Sequence, residues 1–181
     1  MDRGRIVLHT FRDGLAATAG HDLTIEVGRW SGELTVDDEL KPTGLAVQID
    51  MGSLIVREGS GGIKPLTDRD RREIAVTARK TLGADRYPEA TFTAESFKPG
   101  ADEGGTITGT LTLAGVTRPL SLQVTSTGPD AYHAAAEVVQ SEFGIKPYTG
   151  FFGALRVRDA VNVDADVDLS GPDGGPGAQP P

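Results

Sequence analysis

At 181 residues with a formal net charge of −8 and a pI of about 4.8, the chain is sized for one domain and is too acidic to read as a nucleic-acid binder. The same acidity disfavours electrostatic docking on anionic lipid headgroups. Cysteine is absent, which excludes disulfides and thiolate metal sites, and no apolar run approaches membrane-spanning length.

The amino-terminal MDRGRIVLHTFRDG carries charge from its second residue and shows no apolar core followed by a small-residue cleavage site. Residues 4–11 therefore read as a strand and not as a secretory signal, and the expected location is cytoplasmic. Residues 12–20 are small and Ala-rich, which suggests a short helix or an irregular crossing. Residues 21–27 alternate cleanly, with Leu23, Ile25 and Val27 on one face and Asp22, Thr24 and Glu26 on the other. After a turn at Gly28 and Arg29, residues 30–36 place Trp30, Leu34 and Val36 on one side. Gly32 falls on that side too, leaving room for something bulky or marking a bulge. Beyond a polar loop at 37–43, residues 44–50 turn Leu45, Val47 and Ile49 inward, so the linked strands form a meander.

The pattern breaks over residues 51–66, where Gly59, Gly61 and Gly62 interrupt any period and a loop is expected. Thr67 then caps a helix from Asp68, with Asp68 and Asp70 in a first turn that favours negative charge. Ile74, Ala78 and Leu82, spaced by four, form a narrow apolar stripe before Gly83. This helix is expected against an outer face or across one end of the sheet. Extended chain resumes at Tyr87 and Pro88, and residues 90–97, with Phe92, make the next strand.

Residues 104–128 carry the clearest signal. Ile107, Leu111 and Leu113 alternate with threonines; after a turn at Ala114 and Gly115, Leu120, Leu122 and Val124 alternate with Ser121, Gln123 and Thr125. An antiparallel hairpin with one buried face follows. Pro119 cannot donate a ladder hydrogen bond and is expected at the start of the second strand, not inside it. Residues 131–143 read as a longer, less regular strand and residues 144–153 as a Gly- and aromatic-rich loop. In the last strand Val161, Val163, Ala165, Val167 and Leu169 alternate with Asn162, Asp164, Asp166 and Asp168. Residues 1–170 make up the expected domain; the Gly/Pro-rich tail 171–181 has nothing to bury and is expected to be disordered. About eight alternating strands and one helix predict a mainly β, antiparallel barrel or closed sandwich, whose interior is filled by side chains or holds one small ligand.

No residue pattern in the chain points to a catalytic residue, metal ligand or cofactor site. His9, His21 and His133 lie on separate strands, and adjacent His21 and Asp22 point to opposite faces. The glycines at 58–62 lack the GK[ST] ending of a phosphate loop, since Lys64 is followed by proline. Ser53, Ser60 and Ser141 lack the Gly-x-Ser-x-Gly elbow of hydrolases. The aspartates of the last strand read as an acidic outer face, with Ca²⁺ binding the weaker alternative. Gly-Ile-Lys-Pro occurs at 62–65 and again at 144–147. Coincidence is the default; if both loops share one barrel mouth, Lys64 and Lys146 would meet an anionic head group.

Four blocks resemble, in order over residues 4–169, the YceI-like family; the patterns Y-P-x-A-x-F at 87–92 and G-x-L-T-L-x-G-V-T-x-P at 109–119 are the most specific. The resemblance implies an eight-stranded, lipocalin-like antiparallel β-barrel with one flanking α-helix, and non-catalytic binding of an amphiphilic lipid, a polyisoprenoid or quinone-like chain, inside it. Many members carry a secretion signal, which is not read here. The residues expected to line the barrel are Leu23, Ile25, Val27, Trp30, Leu34, Leu45, Val47, Ile49, Phe92, Ile107, Leu111, Leu113, Leu120, Leu122 and Val124, with Phe143, Phe151 and Phe152 as a gate. Two alternatives stay open: an enzyme acting on a lipid-like substrate, which His9 or His21 facing inward beside a carboxylate would favour, and a stress-linked protein whose barrel is filled. The oligomeric state is open too, and a homodimer would suit the family.

Overall fold

The computed structural model describes residues 3–100 and 104–170; the tail at 171–181 lies outside the described residues. In chain order the elements are β1 (Gly4–Thr10), β2 (Arg12–Asp13), β3 (Asp22–Val27), β4 (Trp30–Val36), β5 (Pro42–Asp50), β6 (Leu54–Ser60), α1 (Asp68–Thr81), β7 (Glu89–Pro99), β8 (Gly105–Leu113), β9 (Val116–Gly128), β10 (Ala131–Val139), β11 (Thr149–Gly150), β12 (Leu155–Val157) and β13 (Ala160–Asp168). The alternating segments assemble one antiparallel sheet in the order β4-β5-β7-β8-β9-β10-β13-β1-β3-β6, curled into a half-barrel. A second, three-stranded sheet, β11-β12-β2, forms where the sequence suggested only loop or irregular chain.

Ten strands replace the eight or so expected: nine follow segments that alternate in the sequence, and the tenth comes from residues read as loop. Residues 54–60, expected as loop, form β6, which pairs with β3 and turns Leu54 and Val56 inward. Gly59 hides the strand in the sequence, yet it lets Leu66 pack close, since a Cβ there would displace the Leu66 side chain. The meander expected over residues 21–50 is not formed, because β3 and β4 do not pair; β3–β6 make one long hairpin with two bent arms instead. β3 runs into β4 through Gly28 and Arg29, and β5 runs into β6 through a 3-10 turn, Met51–Ser53. Pairing persists through the corner: Gly28 N donates to Ser53 O at 2.9 Å, and Asp50 N donates to Arg29 O at 3.0 Å. One half of the hairpin extends the sheet from β7 and the other extends it from β1. The two sheet edges are thus bridged by the same pair of arms.

The β8–β9 hairpin turns on Ala114 (φ 51°) and Gly115 (φ 77°), the two left-handed residues of a type I′ connection whose twist suits the flanking strands. Pro119 lies inside β9, opposite Thr110, and not at its start. It is tolerated because β10 pairs only with β9 from Gln123 onward, so Pro119 sits on an open edge where a missing N–H costs little. The strand expected over residues 131–143 stops at Val139, and Gln140–Phe143 form a 3-10 turn.

Helix α1 begins as its sequence signals. Thr67 Oγ1 accepts from Asp70 N at 3.2 Å, and the Asp70 carboxylate accepts from Thr67 N at 2.8 Å, a reciprocal capping box. The helix packs on β6, and Ile74, Ala78 and Leu82 point into the curl of the sheet, not onto its outer face as one of the two expected placements had it. Two buried clusters result. One gathers Met51, Phe92, Leu111, Leu113, Phe143 and Ile145; the other gathers Ile6, Ile25, Val27, Leu54, Val56 and Ala75 beneath α1. No helix among the described residues is long and apolar enough to cross a membrane.

Candidate functional site

Alternation, reset by bulges in four of the strand pairs, puts about every second side chain of the ten-stranded sheet on its concave face, and these side chains line a cavity of about 1660 Å³. Leu23, Ile25, Val27, Trp30, Leu34, Leu45, Val47, Ile49, Phe92, Ile107, Leu111, Leu113, Leu120, Leu122 and Val124 all line it. The wall is completed by Ile6 and Leu8 of β1, Ala134, Ala136 and Val138 of β10, Val161, Val163 and Ala165 of β13, and the stripe of α1. The β13 residues alternate with aspartates in the sequence, and those aspartates lie on the opposite, outer face. Ala134 pairs directly with Ala165. Two methyl groups at that level leave space that larger side chains would fill, which is one reason the interior is hollow.

The proposed gate divides. Phe151 lines the lip of the cavity, Phe152 stands fully exposed off the lining, and Phe143 is buried in the core beside Phe92 and Leu113, off the cavity wall. The two lysines divide as well. Lys64 lines the lip; Lys146 is exposed and does not line the cavity. The two Gly-Ile-Lys-Pro loops therefore do not both face the interior.

Polar groups collect at this lip, where β2, β12, α1 and residues 60–66 meet. Arg12 is held by its Nη1, which donates to Gly20 O at 2.9 Å, and by its backbone N, which donates to Asp22 Oδ1 at 2.8 Å. His21 lies at the lip with Nε2 2.8 Å from Lys64 O; a carbonyl only accepts, so Nε2 carries the proton. Asp70 also faces the lip, but the Thr67 hydroxyl and backbone N–H hold its carboxyl below the ordinary value of 3.8 and occupy it in the helix cap. Sequence reasoning missed Arg12, Arg156 and Tyr148 of this lip, because only the small sheet brings their segments together.

The outer face carries a different arrangement. His9 Nε2 lies 3.2 Å from Asp164, and His133 lies 3.3 Å from Asp164 and 2.8 Å from Asp166. His9 thus points away from the cavity. Glu26 accepts from Arg57 Nε and Nη2, both at 2.9 Å, and from Arg5 Nε at 3.1 Å. The Arg57 hydrogen bonds hold its carboxyl below the ordinary value of 4.5. Among the described residues no group of three or more His, Asp or Glu is arranged to hold a metal ion.

A curled antiparallel sheet around a large apolar cavity, with one helix along its edge, is a fold of the β-barrel type. The YceI-like domain profile matches residues 10–169, and the chain belongs to the YceI-like family. It is 23% identical over 150 residues to a UPF0312 protein of Pseudomonas syringae pv. syringae, covering 83% of this chain and 64% of that one. It is 32% identical over 93 residues to Protein YceI of Escherichia coli O6:H1, covering 46% of this chain and 48% of that one. The chain thus spans less than two-thirds of the length of these curated relatives. Among solved structures, the Campylobacter jejuni YCEI protein superposes with a TM-score of 0.59 at 21% identity, covering 79% of this chain and 81% of that chain. Burkholderia cenocepacia BcnA gives 0.59 at 16%, covering 90% and 94%. At such identities the likeness shows the fold. None of these names denotes an enzyme.

Proposed function

We propose that this protein binds and carries, without catalysis, an amphiphilic lipid with a long apolar chain, polyisoprenoid or quinone-like, inside the half-barrel. The observation that carries this reading is the 1660 Å³ cavity walled by aliphatic side chains. It exceeds the roughly 300–1,000 Å³ that suits drug-sized ligands and calls for a longer occupant. Each buried CH₂ contributes about 0.8 kcal/mol, so ten carbons supply roughly 8 kcal/mol before the ordering cost of association. Micromolar binding needs no charged anchor. Lys64 at the lip would then meet a polar or anionic head while the chain lies along the β8–β9 wall. The non-catalytic reading is supported by the lip itself, where the Asp70 carboxylate is spent on the helix cap.

Native mass spectrometry of the purified protein, followed by organic extraction, tests the proposal. A co-purifying long-chain apolar compound is the expected result. Trp30 is the only tryptophan and lines the cavity, so adding a long-chain prenol to emptied protein should shift its emission. A protein that neither retains nor takes up such a chain would overturn the reading.

A further inference from the structure

The cavity lip is ringed by apolar side chains that nothing in the fold covers. Leu15 and Phe152 are fully exposed, and Ile63 and Phe151 are largely exposed. Their three segments form one rim. β12 pairs with both β2 and β11, Ala16 N donates to Ala154 O at 2.9 Å, and Arg12 Nη1 reaches Ser60 O at 3.4 Å. The aromatic tip is held in an unusual shape. Phe151 (φ 48°) and Phe152 (φ 54°) are consecutive left-handed residues, a conformation that bulky side chains rarely adopt, and they project both rings from the rim.

Charge is distributed unevenly in the same place. The rim brings Arg12, Lys64, Lys146, Arg156 and Arg158 together in a protein whose net charge is −8; Arg12 Nε lies 4.0 Å from Asp22, while Lys64, Lys146 and Arg158 have no ion-pair partner among the described residues. Asp13 sits 3.8 Å from Arg156. The acids that α1 turns toward the lip are already engaged, Asp70 in the helix cap and Glu73 with Arg69 at 2.8 Å. A rim that sets three unpaired cations among exposed aromatic and aliphatic side chains matches an anionic lipid bilayer in both respects: the headgroups meet the free cations and the acyl boundary accepts the rings.

We infer that this rim is a membrane-docking surface, which seats the cavity lip on anionic lipid. The net charge argues against electrostatic docking only when averaged over the whole surface; its distribution favours docking here. This surface stands on the rim alone and not on what fills the cavity, so the two readings fail separately.

Vesicle co-sedimentation tests it, with phosphatidylcholine alone against phosphatidylcholine mixed with phosphatidylglycerol. The wild-type protein should pellet with the mixed vesicles and be released by salt. Leu15 and Phe152 are both off the cavity lining, so the double variant Leu15→Ser/Phe152→Ser should weaken partitioning by about tenfold or more while leaving uptake of an apolar fluorescent probe unchanged. Lys146→Glu, also off the lining, should weaken it by roughly fivefold or more. Circular dichroism confirms that the variants are folded. No binding of the wild type to the mixed vesicles, or binding that both variants leave intact, overturns the inference. Sedimentation velocity covers the other occupant: a wild-type dimer that the double variant dissociates, with vesicle binding unchanged, would make this face a contact between copies and overturn membrane docking.

Discussion

Ile63 and Ile145 hold the same place in two copies of Gly-Ile-Lys-Pro, yet Ile63 is 79% exposed at the cavity lip and Ile145 is 4% exposed in the core. The difference comes from what precedes each copy. Before Ile145, the turn Gln140–Phe143 is pinned to the start of β13: Gln140 Nε2 donates to Arg158 O at 3.0 Å, and Ser141 N donates to Asp159 Oδ1 at 2.7 Å. Gly144 (φ 70°) ends that turn, and Ile145 N donates back to Gln140 O at 3.1 Å, so the isoleucine is driven into the cluster that holds Phe143. Before Ile63 there is only the end of the edge strand β6 and two left-handed glycines, Gly61 and Gly62, lying against Arg12 and His21. Burial is a property of the anchored turn and not of the tetrapeptide.

Truncating the anchored copy should have the largest effect. Phe143→Ala is expected to cost about 3–5 kcal/mol and Ile145→Ala about 2–5 kcal/mol, because each leaves a cavity in a packed cluster. Ile63→Ala should stay within about 0.5 kcal/mol, as exposed substitutions do. Urea unfolding measures all three. An Ile63 variant as costly as the Ile145 variant would erase the contrast.

The glycines sharpen it further. Both Gly62 and Gly144 are left-handed, so alanine at either costs about 1–2 kcal/mol in backbone strain. A Cβ on Gly144 would meet nothing within 4 Å, whereas one on Gly62 would lie 2.4 Å from His21 Nε2. Gly62→Ala must therefore move the imidazole off Lys64 O as well and should cost more than Gly144→Ala. The His21 ring signals in NMR should shift in the first variant and stay in place in the second.

The wall of the cavity was legible because alternation is a local property: Leu111 and Leu113, or Ile25 and Val27, declare their face by sequence spacing alone. Residue 54–60 pairing was not, since Gly59 and the charged Arg57 and Glu58 blur the period in a strand that is held by β3. The lip was least legible. Arg12, Ile63, Tyr148 and Arg156 are distant in sequence and meet only through β2, β11, β12 and the loop after β6. Phe143 and Phe151 look alike as aromatics near glycine, and only the turn pinned to β13 separates core from rim.

The smallest effect concerns how the lip side of the sheet is fastened. Glu26 on β3 ties the edge strand β6 through Arg57 and ties β1 through Arg5, on the outer face opposite Ile25 and Val27. The Arg57 hydrogen bonds depress its folded-state pKa below 4.5, so the unfolded chain binds its proton first as pH falls. The stabilisation is therefore complete above the unfolded value and is lost as pH drops through the folded one. Glu26→Gln should be less stable than wild type near neutrality, by no more than about 1 kcal/mol for so solvated a pair, and the gap should close once Glu26 itself is protonated in acid. No corresponding closure is expected for Ile145→Ala, whose cost is packing and carries no charge. A Glu26→Gln deficit that stays constant from neutral pH into acid would mean that the β6 edge is held by α1 and the Leu54–Val56 packing alone, and that the two sides of the molecule differ in burial but not in how their strands are secured.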